Sequence, residues 1–358
     1  MNNSSAKRLT LSYEKRSRKT LLVRTAAGPT IGFGHLRRAL ILARRLRGAV
    51  RPMFLLDPDD RWSQAHVRHC GFDYRHFDPR RPWPAAEPAA AVLIDTRKRV
   101  GLRRLIAAAR LRGIPVASIH DLGLAPVASD VVFDGSILPA KDRFPRDDTT
   151  FFTGTGYLVL ADGCERFHRN DKRIRPRIRK VVVNLGGGDG RRLFGRVLRG
   201  LRSTNAKLEV VGLPGFCSWG QGELTRTRWN PVRFRWLSPQ EDALRIMFDA
   251  DLVISAGGLA AYEALCLGAP LCALSCDRHQ ASTVEALARA GACLDLGRGT
   301  LLKNSDLISR FQELNGHPDL RHQLSARGHA LVDGGGTRRV ARILHAMMKG
   351  RSHLMTNS

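Results

Sequence analysis

The chain predicts an α/β fold of two Rossmann-like domains facing each other across a central cleft. Three observations carry that expectation. Short apolar runs alternate with longer helical patterns, as strands covered on both faces of a parallel sheet require. The alternation breaks at 161–180 and then restarts. Every informative glycine cluster falls just after an apolar run, and ligands of open α/β sheets sit at the carboxyl ends of the strands.

Taken in order, residues 1–19 read as a disordered basic tail; they lack the apolar core of a secretory signal. Candidate strands follow at 20–25, 50–56, 91–94, 114–119 and 130–134, with helical stretches at 36–47 and 100–112 between them. The Pro-rich run 78–90 reads as a loop. These elements make an N-terminal domain, 20–160. The stretch ADGCERFHRNDKRIRPRIRK (161–180) is charged, has no apolar period and contains Pro176, so it reads as a linker. The second domain, 181–349, has candidate strands at 181–185, 207–212, 231–235, 251–255, 270–274 and 291–294. A last helix, 337–348, lines up Val340, Ile343, Leu344 and Met347, and residues 350–358 form a tail.

Composition narrows the classes. At 358 residues and 43% hydrophobic content, the chain suffices for two ordinary cores. No apolar run is long enough to cross a bilayer. Seven cysteines without a CxxC pair argue against a disulfide framework or a zinc site and for a reduced, cytoplasmic setting. No metal is expected. The net charge of +27 suits nucleic acid, an anionic membrane surface or acidic substrates. The excess is almost all arginine and is spread through nearly every predicted helix. A compositional bias explains this as well as a nucleic-acid site does, and no nucleic-acid motif appears.

The first site candidate is GPTIGFGHLRRALILARRL (28–46). Gly32 and Gly34 sit in a turn between strand and helix, where a missing Cβ allows positive φ or close approach of a ligand. His35 falls at the helix start, whose free N–H groups suit an anion and disfavour a protonated imidazole. A tight turn with a surface histidine is the plain alternative. Asp95 ends the strand AVLI and is placed to orient His35; capping a following helix is its alternative. His120 and Asp121 end another strand in the same way. Asp57-Pro-Asp59-Asp60 has the spacing of a metal-binding DxD, but a turn or helix N-cap fits Pro58 better.

The second candidate is NLGGGDGRR (184–192), where Gly186, Gly187 and Gly188 let a nucleotide approach the backbone; it lacks the GK[ST] ending of a Walker loop. The third is the most specific. DLVISAGGLAAYEALCLGAP (251–270) reads as strand, glycine turn, helix. Ser255, Gly257 and Gly258 bracket the turn, and the free amides from Leu259 suit a diphosphate. Glu263, one turn further in, has the reach to accept from ribose hydroxyls; complementing the helix dipole is its alternative. In CDRHQAS (276–282), Asp277, His279 and Gln280 are placed to meet a sugar or phosphate, or else form a polar surface loop.

The order IGFGHLRRALILARRL, IDTR, SIHD, SDVVFDGSI, VVVNLGGGDG, ISAGGLAAYEALCLGAP and LVDGGGTRRVARIL resembles the UDP-2,4-diacetamido-2,4,6-trideoxy-β-L-altropyranose hydrolases of pseudaminic acid synthesis. It is similar also to the spore-coat polysaccharide proteins and, more distantly, to the peptidoglycan N-acetylglucosaminyltransferase. The resemblance implies the GT-B fold and metal-independent, cofactor-free chemistry on a UDP-sugar. It implies that His35 activates the attacking water, that Glu263 binds the ribose, and that the Gly257–Leu259 amides hold the diphosphate. By the same likeness Gly186–Gly188 lie against the nucleotide and Gln280 touches the sugar. The chain departs from the family at Arg24-Thr25-Ala26, at Asp95-Thr96-Arg97 and at Phe133-Asp134-Gly135-Ser136, all in the N-terminal half.

Three functions follow as expectations. The first is a nucleotide-sugar hydrolase of surface or envelope glycan synthesis. The second is a glycosyltransferase in which His35 activates an acceptor hydroxyl, with the arginines docking an anionic acceptor at the inner membrane face. The third is a non-catalytic nucleotide or nucleic-acid binding protein, supported by charge alone.

Overall fold

Two parallel sheets organise the chain. The computed structural model describes residues 19–28, 31–84, 88–120, 127–138, 149–186, 191–214, 228–238 and 241–350. The first sheet is built from β1 (Thr20–Thr25), β2 (Arg51–Leu56), β3 (Asp73–His76), β4 (Ala89–Asp95), β5 (Val116–His120), β6 (Val131–Asp134) and β7 (Thr150–Thr153). Their order is β3-β2-β1-β4-β5-β6-β7. The second comprises β8 (Lys180–Asn184), β9 (Glu209–Gly212), β10 (Arg233–Trp236), β11 (Leu252–Ala256), β12 (Leu271–Ser275) and β13 (Leu294–Arg298), in the order β10-β9-β8-β11-β12-β13. Every described pairing within the two sheets is parallel.

Both orders reverse direction beside their first strand, between β1 and β4 and between β8 and β11. At such a switch point the flanking connections leave in opposite directions and open a crevice. The strands that flank the crevices, β1 and β11, are buried along their whole length. That is why their sequences read as unbroken apolar runs rather than alternating ones.

Two strands escape the sequence pattern. Asp73–His76 and Thr150–Thr153 are four residues each at the ends of the first sheet's order. Short, partly polar edge strands carry no apolar run to detect.

The segment 161–180 is not a free linker. Cys164–His168 is a short helix whose Cys164 and Phe167 join the second domain's core. Arg175 pairs with Asp251 at 2.7 Å, and Lys172 donates to the carbonyls of Phe248 and Ala250. The segment's charges mark a packed strap rather than a tether. Burial lowers the Lys172 pKa to about 8.

The last helix, Gly336–Met348, also departs from the expected boundary. Val340, Ile343, Leu344 and Met347 are buried in the core of the first domain, with Leu36 and Leu40 of the helix Gly34–Leu46. Each such side chain contributes about 1.5–3 kcal/mol when taken from water. The chain therefore returns to the domain it began in. The return is fastened by Thr337 Oγ1, which accepts from the Leu160 amide at 3.0 Å and lies 2.8 Å from the Leu160 carbonyl oxygen.

Candidate active site

The first crevice gathers charge that the sequence separates widely. The helix Gly34–Leu46 leaves the loop after β1, and β4 is registered against β1 with Asp95 opposite Thr25. His35 and Asp95 are thus neighbours because their strand ends are. Asp95 Oδ1 lies 2.6 Å from His35 Nδ1. Arg38 Nη2 also lies 2.9 Å from Nδ1. A carboxylate oxygen only accepts, so a hydrogen bond from the ring to ionised Asp95 requires the proton on Nδ1; Arg38 Nη2 then donates to Asp95 Oδ1, and Nε2 is the ring's acceptor.

Arg38, one turn along the same helix, clasps Asp95 beside the ring. Its Nε donates to Oδ2 at 2.9 Å and one terminal nitrogen to Oδ1 at 2.7 Å. His35 is 8% exposed, Arg38 2% and Asp95 0%. Burial alone would raise the Asp95 carboxyl, but the charges and hydrogen bonds of Arg38 and His35 outweigh it and hold the group below the usual carboxylate range. Asp95 therefore stays ionised, fixing the ring's tautomer and orientation.

His35 faces a cleft that it lines with Thr96, Arg97, Arg99, His120 and His279. His279 belongs to the second domain, so the cleft lies between the two. The glycine turns of both domains meet beside it: a Cβ on Gly34 would lie 3.8 Å from Leu259 Cδ1. The helices that begin there, Gly34–Leu46 and Leu259–Cys266, have no side-chain cap and no acidic residue in the first turn. Two sets of uncapped amides leave partial positive charge at one place, which suits an anion.

The other expected positions divide. Gly32 has φ +82 and Gly186 φ +76, and a Cβ on either would meet nothing within 4 Å; both turns are open. Asp121, Gly187 and Gly188 lie outside the described residues. Gly258 is likewise open, whereas a Cβ on Gly257 would come within 2.6 Å of Val284 Cγ2. Gly257 packs closely against the helix Arg278–Arg289.

Ser255 does not reach the cleft. It is fully buried in β11 and its hydroxyl donates to the Ala256 carbonyl at 3.0 Å. Gln280 accepts the Cys276 amide on Oε1 at 2.9 Å, which closes its own turn rather than offering that oxygen to a sugar. Asp60 caps the helix Arg61–His69 by accepting the Ser63 amide at 3.0 Å, and Asp57 pairs with Arg24 at 2.6 Å and Lys98 at 2.7 Å. The DxD-like spacing serves capping and ion pairing. Among the described residues no group of three His, Cys, Asp or Glu gathers at metal-binding distance.

Glu263 differs most from expectation. It is 1% exposed. Its Oε1 accepts the Ala161 amide at 3.2 Å and lies 2.7 Å from Arg37; Oε2 accepts from Arg37 at 3.0 Å. The carboxylate is the second domain's half of a contact between domains, not a free acceptor for a ribose. Its charge raises the Arg37 pKa.

Arg37, Arg38 and Arg97 were not singled out as site residues by the sequence. The spacing of His35 and Arg38, three apart on one helix, was an available signal for a shared face. Nothing in the sequence signals a contact such as Arg37–Glu263, which crosses 226 positions.

The chain has the GT-B fold. Acinetobacter baumannii MurG superposes with a TM-score of 0.64 at 16% identity, covering 91% of this chain and 99% of that one. The calicheamicin glycosyltransferase CalG4 gives 0.63 at 13%, covering 94% and 99%. No protein-family model matches the chain. The spore coat polysaccharide biosynthesis protein SpsG of Bacillus subtilis (strain 168) is 31% identical over 219 residues, 60% of this chain and 64% of that protein. The UDP-N-acetylglucosamine–N-acetylmuramyl-(pentapeptide) pyrophosphoryl-undecaprenol N-acetylglucosamine transferase of Azotobacter vinelandii (strain DJ / ATCC BAA-1303) is 32% identical over 115 residues, 31% of this chain and 32% of that protein. The chain thus matches less than two thirds of the length of either curated relative.

Proposed function

We propose that the protein is a glycosyltransferase that moves a sugar from a nucleotide diphosphate, UDP in the first instance, to an acceptor hydroxyl during glycan synthesis on the cytoplasmic side. The His35–Asp95 pair in a cleft of GT-B form is the observation that carries this reading. The names of the relatives add to it: one acts in polysaccharide synthesis, another is a UDP-N-acetylglucosamine transferase.

In this reading His35 Nε2 takes the proton of the acceptor hydroxyl. The oxygen forms its bond to the anomeric carbon as the bond from that carbon to the diphosphate oxygen breaks. The departing diphosphate keeps the electron pair, and the free amides at the start of the helix Leu259–Cys266 receive its charge. Asp95, ionised and fixed by Arg38, stabilises the imidazolium that forms. A positioned base of this kind contributes about 100- to 10,000-fold in rate.

Hydrolysis is the second reading, with water in place of the acceptor hydroxyl. The motif order along residues 20–345 favours it. Both readings use the same base. The surplus of arginine offers an anionic acceptor or membrane surface a partner, and salt-sensitive binding to anionic vesicles would test that part.

The decisive experiment incubates the protein with several UDP-sugars, with and without candidate acceptors, and follows UDP release. Release that needs an acceptor identifies transfer; release in buffer alone identifies hydrolysis. His35→Ala should lower turnover by about 100- to 10,000-fold while UDP affinity stays within a few-fold. Unchanged turnover would remove His35 from the mechanism.

A further inference from the structure

Arg97 stands two residues beyond Asp95, on the loop that leaves β4, and lines the cleft beside His35. Its Nε is buried and has no hydrogen-bond partner among the described residues. Its ion-pair partner there is Asp277 Oδ2, 3.9 Å from Nη1, beyond hydrogen-bond reach. The other Asp277 oxygen already accepts the Gln280 amide at 2.8 Å as the cap of the helix Arg278–Arg289. Asp95, the nearest carboxylate along the chain, is held on both oxygens by Arg38 and His35. With 26% of its side chain open to water, the guanidinium borders the cleft with no carboxylate of the described residues in hydrogen-bond reach.

Its neighbours in the cleft add another guanidinium and two imidazoles. Arg99, His120 and His279 line this part of the cleft, and among the described residues no carboxylate does. A neutral sugar hydroxyl both donates and accepts, and sites for it mix carboxylates with donors. A carboxylate or phosphate only accepts, and matches a planar guanidinium in two parallel hydrogen bonds. The uncapped helix starts by Gly34 and Leu259 stand ready for the diphosphate, so the Arg97 fork is left over for a second anion.

We infer, building on the nucleotide-sugar reading above, that Arg97 selects a substrate carrying an anionic group in addition to the diphosphate, a carboxylate or phosphate on the donated sugar or on its acceptor. Arg97 is a specificity-determining residue in this account. The sequence already marked the position as one where the chain departs from the hydrolases it resembles.

Calorimetric titration of the full chain tests this in two arms. The donor arm compares UDP, UDP-glucose and UDP-glucuronate. The acceptor arm compares glucose with glucose 6-phosphate on UDP-saturated protein. The expected result is an affinity about tenfold or more higher for the anionic member in one arm. That preference should vanish in Arg97→Met and survive in part in Arg97→Lys, which keeps the charge but loses the fork. A preference in the donor arm places the anion on the sugar; one confined to the acceptor arm places it on the acceptor. Equal binding within both arms overturns the inference and leaves the nucleotide-sugar reading standing. So does an Arg97→Met protein that loses UDP and every UDP-sugar alike, since Arg97 would then serve the diphosphate. If Arg97→Met does not fold, Arg97→Lys with an undiminished preference overturns it and a reduced preference supports it. Failure to bind UDP at all overturns both.

Discussion

The glycine turn after β1 and the glycine turn after β11 hold equivalent places, each beside the switch point of its own sheet. They are built for different work. The first leads into His35, and the neighbouring strand end supplies Asp95. The second leads into a helix whose own acidic residue, Glu263, is buried and bound to Arg37 of the first domain. One turn carries a base with its positioning carboxylate. The other carries open amides and a packing glycine. The same local geometry thus divides proton handling from anion handling, and the cleft needs both halves.

The sharpest way to test that division is Asp95→Asn. The amide keeps the shape of the carboxylate but presents no second anionic oxygen to Arg38 and does not hold the His35 ring as the charge does. Turnover should fall by about 100- to 10,000-fold, with UDP affinity changed only a few-fold. A loss of UDP affinity equal to the loss of turnover would show that the first turn, not the second, receives the nucleotide.

Much of this was legible in the sequence, and the reason is the parallel sheet. Strands buried on both faces write themselves as apolar runs, so β1, β4 and β11 were found within a residue or two. The glycine turns followed because they end those runs. The pairing of His35 with Asp95 was an expectation from strand ends alone, and the register of Asp95 against Thr25 is what realises it. What stayed hidden is what depends on how the domains meet. Glu263 looks in sequence like a first-turn acid with a free carboxylate; only the approach of Arg37 and the Ala161 amide closes it. Arg38 looks like one of many surface arginines, yet is 2% exposed. The final helix shows its apolar face plainly, but no periodicity says which domain that face will join.

The contact that joins the halves offers the next test. Arg37→Ala leaves the buried Glu263 carboxylate with the Ala161 amide alone. A fully buried pair broken on one side costs about 3–5 kcal/mol. Because 33% of the Arg37 side chain is open to water, solvent screening brings the expected loss to roughly 1–3 kcal/mol in denaturant melts. Glu263→Gln should cost less, since the amide leaves no uncompensated charge in the interior. If neither variant melts below the parent, the contact does not hold the domains together.

Within the second turn, adjacent glycines should part company. Gly257→Ala drives a Cβ to 2.6 Å from Val284 Cγ2 and 3.0 Å from the Gln280 carbonyl oxygen, an overpacking that costs about 1–3 kcal/mol. Gly258 has an extended backbone, φ −120, and open space around it. Gly258→Ala should melt within about 0.5 kcal/mol of the parent. Its effect, where there is one, should appear as weaker UDP binding, because the methyl group would stand where the diphosphate approaches the amides.

The smallest expected effect concerns acid. The Asp95 carboxyl is held below its ordinary range by Arg38 and His35 against the pull of burial. Between the folded and unfolded values the unfolded chain binds more protons, so stability rises with pH across that interval. The Asp95 contribution is therefore complete above about pH 4, the ordinary aspartate value, and is lost as pH falls through the folded one. Melts of the parent and Asp95→Asn, compared from pH 7 downward, should keep a constant gap to about pH 4 and converge below it. Glu263→Gln serves as the control from the other turn, since it leaves the Asp95 contacts intact and should show the parent's Asp95-dependent loss. A gap between the parent and Asp95→Asn that stays constant well below pH 4 would mean that the carboxylate's charge does not contribute to the stability of the first turn.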